Sequence, residues 1–174
     1  MLVAQVGLRR LEVAPVGLSL ESLGIDGDQV VGDAVASRVA QQRLDDVLAL
    51  LVATFAVPDR LGRNQWALSG EWTVGPGASV LSGDEGRLAF RFHARDVHLV
   101  MGPPSKGAAV PFHVSIDGEP PGEAHGDDVD SQGKGTLTQQ RLHQLIRQPG
   151  KIEDRTFEIT FEAPGAEAYC FTFG

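Results

Sequence analysis

The chain has 174 residues, 42% hydrophobic and 22% charged, enough for one ordinary domain or for a domain of about 110 residues with an appendage. Its formal charge of −8 and pI near 5.0 would repel a phosphate backbone over most of the surface, so nucleic acid is not an expected partner. Twenty-one glycines and ten prolines require many turns, which fits a loop-rich β domain and argues against a helical bundle.

Taken in chain order, Met1 to Gly32 mixes short apolar stretches with Gly and Pro and keeps no sustained period. Asp33 to Phe55 sets Val35, Val39, Leu44, Val47, Leu48 and Leu51 at roughly helical spacing among polar residues, which predicts one amphipathic helix ended by Pro58. The longest strongly apolar run, Val47 to Val57, is about half the length that spans a bilayer. Arg9, Arg10 and Glu12 arrive too early for a secretory leader. The reading is an unassigned N-terminal segment over 1–62, offering no strand to complete a sheet, and a β-sandwich over 63–174.

The composition changes sharply at that boundary. All five histidines, both tryptophans, the only tyrosine, the only cysteine and every lysine follow Gln65. The hydrophobic period changes to two: Leu88, Phe90 and Phe92 alternate with polar residues, as do Val97, Leu99 and Met101 after Asp96. Phe112, Val114 and Ile116 repeat the pattern before an Asp117-Gly118 turn, followed by Phe157, Ile159 and Phe161, then Tyr169, Phe171 and Phe173. Turn clusters separate these runs at Gly75-Pro76-Gly77, Ser82 to Gly86, Gly102-Pro103-Pro104, Glu119 to Gly122, Gln148-Pro149-Gly150 and Ala163-Pro164-Gly165. About eight short strands at this spacing make a mainly β domain, an antiparallel, jelly-roll-like sandwich. Gly122 to Gly135 reads as a long surface loop between sheets.

Strong catalytic signatures are missing from the sequence. It has no phosphate-cradling Gly-Lys-Ser/Thr loop, no Gly-x-Ser-x-Gly elbow and no His-Glu-x-x-His pair. His93 and His98 straddle a strand junction and His113 lies on another polar face, but nothing in their spacing makes a tetrahedral zinc site. Asp128-Val129-Asp130-Ser131-Gln132-Gly133 opens like a calcium loop, which makes Asp128 and Asp130 the carboxylates a hard cation would take. The match then breaks at Gln132 and Gln139, leaving a solvated acidic turn as the reading. Neither a metal nor a cofactor is expected. Cys170, alone in the chain, reads as a small apolar strand residue. If a ligand binds, the residues suited to it are Trp66, Trp72 and Tyr169 as aromatic platforms, with Arg91, His93 and Arg95 as planar hydrogen-bonding groups beside them; that combination suits a glycan.

Four stretches carry a family resemblance: Trp66-Ala67-Leu68-Ser69-Gly70-Glu71-Trp72, Phe90 to Val97, Arg141 to Gly150, and Ala168-Tyr169-Cys170-Phe171-Thr172-Phe173-Gly174. In this order, over about Asn64 to Gly174, they resemble the extreme C-terminal domain of DipZ-type bacterial proteins. Such proteins join a membrane-embedded, cytochrome-biogenesis-like electron-transfer domain to a thioredoxin-like domain and then to a sandwich similar to a carbohydrate-binding module. The resemblance implies a bacterial protein, an extracytoplasmic position at the cell envelope, and a redox partner or thioredoxin-like domain as neighbour. It supplies no redox residues, because the chain contains no Cys-x-x-Cys, and His143 stands where the family typically has Tyr. The resulting expectation is a non-catalytic accessory module with a glycan or a redox protein as partner. The alternative is a fragment of a thioredoxin-like thiol-disulfide oxidoreductase whose dithiol domain lies outside these residues.

Overall fold

The computed structural model describes residues 2–5, 51–56, 60–75 and 77–174. Ten strands are present among them: β1 Leu2–Gln5, β2 Leu51–Phe55, β3 Trp66–Val74, β4 Ser79–His93, β5 Asp96–Gly102, β6 Val110–Ile116, β7 Lys134–Leu137, β8 Arg141–Arg147, β9 Asp154–Phe161 and β10 Glu167–Phe173. Eight of these, β3 to β10, fall between Trp66 and Gly174, as the alternation predicts, and every pairing is antiparallel. The fold is therefore mainly β.

The strands form a single sheet that curls over itself. One half runs β2-β3-β4-β9-β6-β7, and the other contains β8, β5, β10 and β1. Among the described residues strand pairing between the halves is confined to the start of β4, where Val80 and Ser79 meet Glu167 and Ala168 of β10 and Leu81 exchanges backbone hydrogen bonds with Gly165 and Ala166. Side chains hold the rest together. Phe90 of β4 lies 5.0 Å from Phe171 and 4.9 Å from Phe173, ring centroid to ring centroid, both across the gap on β10. Phe157 of β9 meets Phe171 edge-on at 5.8 Å, so the two faces interlock through offset and edge-to-face rings. All twelve residues that the alternation assigns to the core, from Leu88 to Phe161, are buried. Half-buried strands expose one face and bury the other, so period two predicts this directly.

Several expectations need correction. Of the helix expected over Asp33–Phe55, only Leu51–Phe55 falls within the described residues, and that piece is strand, paired with β3 from Leu51↔Val74 to Phe55↔Gly70. Val, Thr and Phe suit a strand, and an open sheet edge satisfies their backbone groups where helical spacing alone does not. β1 likewise pairs with β10, so the segment before Arg63 does contribute strands to the sheet. The glycine-rich run Ser82 to Gly86 is an excursion inside β4: the register steps from Gly70↔Gly86 to Trp72↔Leu81 across it. Gly70 sits at φ +99° there, and a Cβ would come within 2.7 Å of the Glu85 carbonyl, so only glycine fits the bend. Finally, Gly122 to Gly135 is not one open loop. It contains a 3-10 turn at Gly122–Ala124, and β7 begins at Lys134. The Asp117-Gly118 turn appears as expected, with φ of 52° and 84° at its two central residues.

Because Phe90 bridges the halves where backbone pairing does not, Phe90→Ala should cost about 3–5 kcal/mol. Urea unfolding followed by tryptophan fluorescence measures it, and a loss below about 1 kcal/mol would show that the halves are held by something else.

Candidate functional site

The chain crosses from one half of the sheet to the other at Ala94-Arg95, between β4 and β5. It crosses back between β8 and β9 through Gln148 to Glu153. These two crossings are stitched together: Gln148 donates its backbone N–H to Arg95 O (2.7 Å) and its side-chain amide to Ala94 O (2.8 Å). The end of β10 joins them, since Gly174 O accepts from the N–H groups of Arg95 and Asp96.

Asp96 fixes this corner. Its carboxylate is 4% exposed and accepts two bonds from Arg95 (3.0 and 2.7 Å) and one from Arg147 (2.9 Å). Burial alone would push this carboxyl up, but the hydrogen bonds from Arg95 and Arg147 outweigh it and hold it below the usual carboxylate range. A buried charge with three charge-assisted bonds is a structural rivet.

Beside the rivet an open cleft of about 560 Å³ lies between the halves. Phe92, Ala94 and Phe173 lie along it, the two phenylalanines as buried core residues, and Ile152, 41% exposed, forms a lip. The polar groups on its lining are Asn64, His93 and His98, with Gly174 completing it. His93 is held from behind by Asp154, whose Oδ1 lies 2.6 Å from Nδ1. Arg63 donates twice to the other oxygen of Asp154, at 3.2 and 3.1 Å, and Arg91 comes within 3.8 Å of it. The His93 hydrogen bond, supported by Arg63, holds the Asp154 carboxyl below its ordinary range. On the opposite wall burial pushes the His98 imidazole down, toward its neutral form. His98 Nδ1 and Oγ1 of its cross-strand partner Thr172 are both buried with no hydrogen-bond partner among the described residues.

The residues expected to bind a ligand do not assemble into one site. Trp66 and Trp72 are core residues, 8% and 0% exposed, and the Trp72 Nε1–H donates to Ser69 O at 3.0 Å. Burial withdraws both indole faces, which corrects the expectation of a tryptophan platform. Tyr169 is half-buried and donates to Glu167; burial, then that carboxylate, pushes its phenol up to about 12. The guanidinium of Arg95 serves Asp96 and that of Arg91 lies against Asp154, so of the predicted polar set only His93 lines the cleft. Asp154, Asn64 and Ile152 were not legible as partners in the sequence, because Asp154 is 61 residues from His93 and no local pattern links them.

The acidic pair Asp128 and Asp130 is occupied internally. Asp128 receives Arg141 and the Gln144 N–H, and the Arg141 bond holds its carboxyl low. Asp130 Oδ1 accepts the N–H groups of Gln132 and Lys134, closing the turn before β7. An oxygen facing a guanidinium is poorly placed for a cation, and among the described residues no group of three or more His, Cys, Asp and Glu side chains could hold a metal. His143, buried on the inner side of β8, has its imidazole pushed down by burial and places Nε2 3.2 Å from Gln139 O. No helix among the described residues is long and apolar enough to cross a membrane.

Compared with known families, residues 31–174 match the model of the thioredoxin-like C-terminal domain. No curated protein matches the chain.

Asp96 carries a pH dependence. Its folded pKa lies below that of the unfolded chain, about 3.9, so between the two the unfolded state binds more protons. Its contribution is complete above pH 4 or so and is lost as pH falls through the folded value. Asp96→Asn should cost about 2 kcal/mol at neutral pH and flatten the acid limb of a stability-versus-pH curve measured by urea unfolding. An unchanged acid limb would remove Asp96 from the corner's energetics.

Proposed function

The chain belongs to the thioredoxin-like C-terminal domain family, and from that premise we propose that it is a non-catalytic accessory module of a thiol-disulfide exchange protein, one that binds or docks while the exchange occurs elsewhere. The observation that carries this reading is the state of its thiol. Cys170 is the only cysteine of the chain. It lies within β10, opposite Val100 of β5 and Gln5 of β1, where burial pushes its thiol up. Exchange needs an attacking thiolate and a resolving partner, and a raised pKa reduces the thiolate fraction at neutral pH.

Within this reading the parent architecture is the DipZ type, in which a membrane-embedded electron-transfer domain and a thioredoxin-like domain carry the redox chemistry. A β-sandwich at the C-terminal side, similar to a carbohydrate-binding module, would present a surface to the partner or the envelope. A glycan as ligand has narrower support, because both indoles are core and Arg95 is committed to Asp96. What supports it is the row of Arg91 and His93 along the outer side of β4.

Insulin reduction with a dithiol donor tests the redox part. The chain should show no turnover above the donor alone, and Cys170→Ser should leave that background unchanged. Turnover that depends on the protein would overturn the accessory reading.

A further inference from the structure

β7 and β8 stand at the two ends of the strand path β7-β6-β9-β4-β10-β5-β8, one in each half of the curled sheet. Among the described residues they do not pair with each other. A strand at the end of a sheet leaves a row of backbone N–H and C=O groups unpaired, which is a template for any extended chain. Here the stretch from Gly126 to Asp130 serves both rows.

On the β8 side Gly126 donates its N–H to Leu145 O at 2.9 Å. Asp128 makes a reciprocal pair with Gln144: its backbone N–H donates to Gln144 O at 3.1 Å, and its Oδ2 accepts the Gln144 N–H at 2.7 Å. Asp130 repeats the arrangement on the β7 side. Its N–H donates to Lys134 O at 3.0 Å, and its Oδ1 accepts the Lys134 N–H at 2.8 Å. In each pair a carboxylate oxygen stands where a neighbouring strand would supply a carbonyl. The stretch also lies tight on β7, since a Cβ added at Gly135 would come within 2.9 Å of the Asp128 carbonyl oxygen. Between the two aspartates Val129 is 7% exposed and packs in the core.

We propose that Gly126 to Asp130 is a strap that closes the two ends of the sheet and opens as one unit, so that the β7 and β8 edges are bared together. Val129 anchors it. The three residues Asp128, Val129 and Asp130 are consecutive, so Val129 cannot leave the core without carrying both aspartates with it, and a hydrogen bond is lost once its atoms separate by about 1 Å more. Arg141, which holds the other Asp128 oxygen, seats the β8 side of the strap.

The test is native-state amide hydrogen exchange of the full chain at low urea. In the wild type the Gln144 and Lys134 amides should share one opening constant and one urea dependence, and both should exchange faster than the amides in the interior β4–β9 pairing. Asp128→Ala should speed exchange about tenfold at Gln144 and also at Lys134, although the cap of Lys134, Asp130, is intact. Asp130→Ala should do the same to Gln144 from the other side. The wild-type measurement stands whether or not the variants fold. Separate opening constants for the two amides, or a variant that speeds only the amide beside the replaced aspartate, would overturn the proposal and leave two unconnected turn contacts.

Discussion

Among the described residues the two sheet halves pair strand to strand only at the start of β4, where Ser79, Val80 and Leu81 meet the beginning of β10, so over most of their area they are joined by side chains. Phe90 does most of this, wedged against Phe171 and Phe173, while Phe157 closes on Phe171 from the neighbouring strand. Dispersion and the removal of apolar area from water are non-directional, yet ring geometry makes the contact selective, since offset and edge-on arrangements are favoured over a flat sandwich. Once the halves are fixed at this spacing, the chain has to turn sharply to pass between them. The Ala94-Arg95 corner and the cleft beside it follow from that requirement.

Two carboxylates near this corner are both paired with arginines, but their surroundings give them different work. Asp96 is buried and holds β5 to the end of β8, so its value lies in the structure it fixes. Asp154 lies at the surface, where screening by water makes an ion pair worth little to stability. Its consequence is geometric, because it orients the His93 ring at the rim of the corner cleft. Together they give a corner pinned by ion pairs with one oriented polar group at its cleft.

On the accessory role proposed above, thiol-disulfide exchange is carried by residues other than these. A strand thiol whose pKa is raised by burial, with no second cysteine in the sequence, behaves as a small apolar side chain. On that same reading the module contributes through its surfaces. The described strands supply a stable framework on which the outer side of β4 and the corner cleft are displayed, and β1 and β2 extend that framework on either side from residues upstream of Arg63.

The sequence by itself determined the mainly β character, the eight strands after Trp66 and the identity of the core, because period-two alternation is a local signal that records which face of each strand is buried. It also determined that no dithiol is present, which is a matter of counting. It misread Leu51–Phe55 as helix, since an apolar run of that length satisfies either period until a free sheet edge is available to pair with. It offered Trp66 and Trp72 as platforms should a ligand bind, whereas both are core; burial alone decides this, and burial depends on what packs opposite. Only the tertiary structure brought Asp154 to His93 across 61 residues and placed Ile152, Phe92 and Phe173 around one cleft. Contacts of that kind arise where strands far apart in sequence meet at a corner, and no periodicity along the chain encodes which of them will meet.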